Sequence, residues 1–216
     1  MALRRVFTLL NLPSAFCLLP FLAGCNILGP VATIVAGPPS VPPVYVPAKE
    51  RMLIVVENFH HPSDAFADAE MLARTLHDEL ARLKVAPLVP MENLDALRTN
   101  RAGDYRAMSI TTIGRELGAK QVLYVDLHQI SIDAAPGSDL LRGRATVLLR
   151  VVDTKTGHSR WPRDVAEGYP VSYESPTPRN EDKSNVNLVR AATHRGIAER
   201  IGRLFRKWQP ENAAPQ

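Results

Sequence analysis

The first 25 residues constrain this chain most, because they decide in which solvent and redox compartment the remainder folds. Arg4 and Arg5 precede an apolar run from Val6 to Phe21, which ends at the small-residue stretch Leu22-Ala23-Gly24-Cys25. A basic head, an apolar centre and a small-residue boundary are the three parts of an export signal. The run falls short of the ~20 apolar residues a membrane span needs, and Pro13 and Pro20 interrupt it. Cys17 and Cys25 are the chain's two cysteines, one inside the signal and one at its boundary. The exported part therefore has no disulfide and must hold together by packing, which a domain of about 160 residues can achieve because the buried fraction of surface rises with size.

Leu22-Ala23-Gly24-Cys25 resembles the bacterial lipobox. That resemblance implies a diacylglyceryl thioether on Cys25, cleavage ahead of it and palmitate-type acylation, with residues 1–24 removed as the signal peptide. Asn26 is not the aspartate that marks inner-membrane retention in well-studied lipoproteins, so the resemblance points to the outer membrane, with the domain facing the periplasm. Six prolines fall in the eighteen residues from Pro30 to Pro47. Proline fixes φ and removes a donor, so residues 25–50 are expected to form an extended tether, with Val31–Val35 and Val44–Val46 as alternative edge segments on the domain. The domain is expected over 51–208, and a disordered tail over 209–216.

From Arg51 onward, strand and helix signals alternate. Met52–Val56 is a continuous β-branched apolar run, as in a strand covered on both faces. Ser63 or Asp64 can cap a helix whose stripe is Ala69, Leu72, Ala73, Leu76, Leu80 and Leu83. Val85–Val89 reads as a short strand kept to an edge by Pro87 and Pro90. Asp104 can cap a second helix carrying Ile110, Ile113 and Leu117, which stops at Gly118. Gln121–Ile132 and Ala145–Val152 read as strands, and Asp153-Thr154-Lys155-Thr156-Gly157 reads as a turn returning His158–Trp161 beside the second of them. After an irregular stretch containing Pro162, Pro170, Pro176 and Pro178 comes a final helix bearing Val189, Ile197, Ile201, Leu204, Phe205 and Trp208. The expected fold is α/β of the α+β kind, a single mixed sheet with helices packed on it.

Residues 51–161 are similar to the TolB amino-terminal domain family, which includes the curli-secretion lipoprotein CsgG and the penicillin-binding-protein activator LpoB. The resemblance rests on the strand Leu53–Phe59, the passage Ile113-Gly114-Arg115-Glu116-Leu117-Gly118-Ala119-Lys120-Gln121-Val122-Leu123, and the hairpin from Val151-Val152-Asp153 through Thr156-Gly157 to Trp161. It implies a TolB-like sheet. Among the relatives, the LpoB-like arrangement of anchor, Pro-rich tether and single domain matches this layout best. The connection Asp133–Leu140 shows no pair of the 9–11-residue amphipathic strands that a CsgG-like pore needs.

Motifs for enzyme chemistry are sparse. The sequence has no G-x-S-x-G elbow, no phosphate-cradling glycine loop, no H-E-x-x-H pair and no calcium loop. Glu57, His60 and His61 follow the first strand, and Asp126 and His128 lie on another, so an envelope enzyme or a metal site there is the alternative reading. Adjacent histidines on extended chain point apart, which argues against a shared metal, and no cofactor is expected. Without Arg4 and Arg5 the chain carries 24 basic against 22 acidic side chains. That balance does not suggest nucleic acid, which calls for basic residues concentrated on one face. The densest basic stretch is the final helix, with Arg190, Arg195, Arg200, Arg203, Arg206 and Lys207. The expected function is a lipid-anchored, non-catalytic binding or accessory protein of an envelope assembly, meeting an envelope protein through Arg195, Arg203 and Arg206 or through the loop Trp161–Pro178. An oligomeric secretion component is a further alternative.

Overall fold

The structure is a computed structural model that describes residues 40–58, 65–134, 140–176 and 185–210. Its folded unit is Val41–Trp208. The unit is built on one five-stranded mixed sheet. Strand β1 (Met52–Glu57) pairs parallel with β2 (Gln121–Ala134), in register from Met52 opposite Gln121 to Glu57 opposite Asp126. Between them run α1 (Ala65–Arg82), α2 (Met91–Asn100), a single turn α3 (Ala102–Tyr105) and α4 (Ile110–Glu116). Strand β3 (Leu141–Asp153) returns antiparallel along β2, and its other edge takes β4 (Ser159–Trp161) and β5 (Tyr169–Glu174). Helix α5 (Val186–Phe205) completes the unit.

The alternation of side chains along a strand decides which helix covers which face. Met52, Ile54 and Val56 of β1, Leu123, Val125 and Leu127 of β2, and Ala145, Val147, Leu149 and Val151 of β3 share the face packed by α1 and α5. Leu53 and Val55 with Val122 and Tyr124 face the other way, under Leu94 of α2 and Ile113 of α4. That second layer covers β1 and the first half of β2. Thr146, Leu148 and Arg150 of β3 point to the same side but are only half-buried. Helix α5 lies close enough to the sheet that side chains would collide at two glycines. A Cβ on Gly196 would enter the Tyr173 ring, and one on Gly143 would meet Thr193 Oγ1.

Several expectations need correction. Residues 41–48, assigned above to the tether, lie against the domain, whereas Val31–Val35 fall outside the described residues. The expected strand Val85–Val89 reduces to one parallel bridge, Leu88 to Met52, because Pro87 and Pro90 have no N–H to extend it. Helix α2 was unforeseen, although Met91, Leu94 and Leu97 recur at helical spacing and Pro90 stands at the start, where a fixed φ suits helix entry. The helix expected from Asp104 is two pieces. Ser109 caps the second, its Oγ accepting from the Thr112 N–H at 3.2 Å. Strand β5 lies within the stretch expected to be irregular; Pro170 is tolerated inside it since β5 is an outer strand. The β2–β3 pairing also continues past the expected break, to Ala134 opposite Leu141. Ser63 and Asp64, the expected caps of α1, fall outside the described residues.

Helices α1 and α5 are joined by a buried polar cluster that the apolar spacing does not announce. Arg190 Nη1 donates to Asp68 Oδ2 at 2.6 Å, and His194 Nε2 lies 3.2 Å from Asp68 Oδ1. Asp68 and His194 are both buried. Burial pushes the His194 imidazole below its ordinary pKa of 6.5; the Asp68 carboxylate opposes that shift and the Arg190 cation reinforces it. A histidine held neutral in the fold but free to charge when unfolded contributes stability that is complete above the unfolded pKa and is lost as pH falls through the lower folded value. Urea unfolding across the slightly acidic range is therefore expected to show stability falling below pH ~6.5. His194→Asn should flatten that part of the profile; a slope unchanged in the variant would assign the effect to another group.

Candidate functional site

The arm Val41–Ala48 and the end of α5 build the most distinctive surface of the unit. The last carbonyls of a helix have no intrahelical partner. Here the arm satisfies one of them: the N–H groups of Val44 and Tyr45 both donate to Leu204 O, at 2.8 and 3.0 Å. Val41 and Trp208 exchange both backbone bonds, at 2.8 and 3.2 Å. Pro42, Pro43 and Pro47 cannot donate, which suits the arm to capping and excludes it from the sheet interior. Tyr45 stacks on Trp161 with ring centroids 5.5 Å apart and meets Phe205 edge-on at 6.4 Å, while Trp161 also packs on Tyr169 at 4.8 Å. Further along, the fully buried Gln121 donates from Nε2 to Ala48 O at 2.8 Å and to Glu50 O at 3.0 Å. Lys49 Nζ donates to the Lys84 and Val85 carbonyls.

Between the arm, β5 and α5 lies an open groove of 440 Å³, lined among others by Val41, Val44, Tyr169, Arg200, Arg203 and Trp208. Arg200 Nη1 donates to Ser172 O at 2.7 Å and its guanidinium sits 5.5 Å from the Tyr173 ring, so it occupies a main-chain acceptor of β5. The Arg203 guanidinium lies 4.6 Å from the centroid of Trp208. Arg206 and Lys207 follow, both exposed. The basic residues of the final stretch thus divide in space. Arg190 is paired to Asp68. Arg195 borders a shallow pocket with Asp78, Glu79, Arg82 and Glu199. Arg200 and Arg203 line the groove.

The strand-end residues form a second, smaller cluster. Glu57 and Asp126 are register partners on β1 and β2, and Asp126 Oδ2 lies 3.2 Å from Nε2 of His128, the extra residue of a β-bulge. Burial raises the Tyr124 phenol above its usual pKa, and the Glu57 carboxylate that it hydrogen-bonds raises it further. Arg150 lies over the Tyr124 ring at 5.3 Å. Glu57, Asp126 and His128 are therefore brought together, while His60 and His61 fall outside the described residues. Among the described residues, no three His, Cys, Asp or Glu side chains are placed to hold a metal ion. Likewise among them, no helix is long and apolar enough to cross a membrane.

These features define a mixed α/β domain whose amino-terminal arm is docked on its last helix. No protein-family model matches the chain, and no curated protein matches its sequence. Solved structures similar to it include bacterial lipoproteins. Lipoprotein GNA1162 from Neisseria meningitidis is 16% identical over 65% of this chain and 90% of its own, with a TM-score of 0.46. The PelC dodecamer from Paraburkholderia phytofirmans is 14% identical over 77% of this chain and 94% of its own, with a TM-score of 0.41. A minor lipoprotein from Acinetobacter baumannii is 11% identical over 76% and 98%, with a TM-score of 0.39.

The arm's docking rests on one side chain more than any other. Tyr45→Ala is expected to cost about 2 kcal/mol, from lost ring contacts and buried area. It should also speed tryptic cleavage after Lys49. Unchanged cleavage would mean that the backbone bonds to Leu204 and Trp208 suffice to hold the arm.

Proposed function

We propose that this chain is a lipid-anchored protein of the bacterial cell envelope, processed ahead of Cys25, whose periplasm-facing domain acts by binding, as a non-catalytic accessory component of an envelope assembly. The observation that carries this reading is Leu22-Ala23-Gly24-Cys25 at the end of an apolar run headed by Arg4 and Arg5. Fifteen residues, Asn26 to Ser40, separate the acylated cysteine from Val41, where the folded unit begins. An extended chain spans at most ~3.5 Å per residue, so this length holds the domain within roughly 50 Å of the lipid headgroups. Confinement of that kind gives an effective concentration in the millimolar range, so a weak surface suffices to engage a partner in the same envelope.

A binding role is supported by how the polar side chains of the sheet are used. Glu57 is hydrogen-bonded to Tyr124, and Asp126 lies against His128. Both carboxylates are thereby engaged within the sheet. Arg195 and the exposed Val165 in the loop after Trp161 are the surfaces we assign to an envelope protein partner. Asn26 favours the outer membrane within this reading, and the order of anchor, spacer and single domain resembles the LpoB-like layout.

Metabolic labelling with palmitate tests the anchor. The wild type should take up label and show a mass consistent with cleavage ahead of Cys25 plus acyl chains, and Cys25→Ser should lose the label entirely. An unlabelled wild type would sink the lipoprotein reading. Recovery of the same envelope protein by wild type, with several-fold less by Arg195→Glu, would locate the partner surface.

A further inference from the structure

We infer that the carboxyl-terminal end of α5 is the face which the domain lays on the membrane, with Arg203, Arg206 and Lys207 meeting the phosphates of anionic phospholipid headgroups. This rests on the lipid-anchor reading above and deepens it, since an anchor alone leaves the orientation of the domain free.

The first argument is where the chain arrives. The segment leading from Cys25 joins the folded unit at Val41, and Val41 exchanges both of its backbone hydrogen bonds with Trp208, just past the end of α5. The anchored chain is therefore covalently attached beside Arg203, Arg206 and Lys207. Surfaces next to the attachment point visit the headgroup layer more often than surfaces on the far side of the domain.

Charge is the second argument. Elsewhere in the unit, several arginines are paired: Arg74 with Glu70, Arg82 with Glu79, Arg101 with Glu116, Arg142 with Glu174, Arg160 with Asp153 and Arg190 with Asp68. Among the described residues, none of Arg200, Arg203, Arg206 and Lys207 has a carboxylate within ion-pair distance. In a chain whose basic and acidic side chains nearly balance, four unneutralised cations within eight residues form a local positive field.

The third argument is the apolar material around those cations. Val41 and Val44 of the arm, which line the groove with Arg203, are 37% and 54% exposed, and Trp208 is half-buried under Arg203 at the rim of the groove. Tryptophan, small aliphatics and long basic side chains at one level suit the membrane interface, where rings sit among headgroups and guanidinium and ammonium groups reach phosphate. An acidic protein surface would use the cations but leaves the exposed valines without a role.

The test uses the mature protein extracted from membranes and reconstituted into phosphatidylcholine vesicles with or without phosphatidylglycerol, each carrying phospholipid brominated near the headgroup. Trp208 fluorescence should be quenched more in the anionic vesicles. Trp208→Phe, which leaves Trp161, should remove the difference, and salt should weaken it by screening. Arg206→Glu with Lys207→Glu alters two exposed side chains that support nothing in the fold, and should reduce the seated population by roughly five-fold per basic residue. Circular dichroism of that variant reports folding. Equal quenching in both vesicles, or quenching unmoved by the double variant, would overturn the inference and leave this end of the helix to an acidic protein. The mass of the same preparation separates the two claims: an acylated protein that fails to seat overturns this inference alone, whereas a protein without acyl chains overturns the anchor and this inference together.

Discussion

Strand β3 is hydrogen-bonded along both edges, and most of the domain is arranged by that fact. One edge carries β2 from Gln121 to Ala134, and the other carries β5 and then β4. Because side chains alternate with a period of two, a slip of one residue would turn Ala145, Val147, Leu149 and Val151 away from α1 and α5 and expose the whole row. The bulge at His128 accommodates one extra residue while keeping Leu127 and Ile130 on the core side of the sheet. The same register sets Gly143 under Thr193, and Tyr173 under Gly196, so the helix sits where the sheet lacks a side chain or the helix does.

The end of α5 illustrates how backbone accounting builds a surface. A helix leaves its final carbonyls unpaired, and burying them unpaired is costly. The arm resolves this with main-chain N–H groups and fixes its own position with one aromatic side chain, Tyr45, in the cluster around Trp161. That cluster joins the arm, β4, β5 and α5 through contacts between rings. Docking the arm there also creates the groove and brings the amino-terminal end of the folded unit beside the unneutralised cations. The groove is thus a by-product of finishing a helix.

In the turn that leads into β4, polar residues are used conservatively. Asp153 accepts from the N–H groups of Thr156 and Lys155 and from Arg160, which together hold its carboxyl well below the usual range and tie off the turn before β4. Gly157, at φ +76°, takes the backbone conformation that such a turn requires. Local chemistry of this kind could be read from Asp153 and Gly157 without any knowledge of the fold. Asp68, Arg190 and His194 are the contrast. Spaced far apart in the chain, they meet only because α1 and α5 pack side by side on one face, and nothing in either helix alone marks them as partners.

The strand and helix texture of the domain, the turn at Asp153–Gly157 and the stop at Gly118 are legible in the chain alone, because each depends on neighbours a few residues away. The chain also contained α2, in the spacing of Met91, Leu94 and Leu97, and the mixed sheet followed from the order of elements. Tertiary structure decided the rest. Pro170 forbids a central strand but not an outer one, so β5 existed only once β3 offered a free edge. Pro-rich chain favours extension wherever it lies, and its composition is silent on whether a surface waits for it. Residues 41–48 are docked because α5 ends with open carbonyls and Gln121 is buried beneath Ala48, two conditions set by residues more than seventy positions away. The division of the basic residues of α5 into paired and unneutralised groups has the same origin, since a cation's partner is found in space and not along the chain.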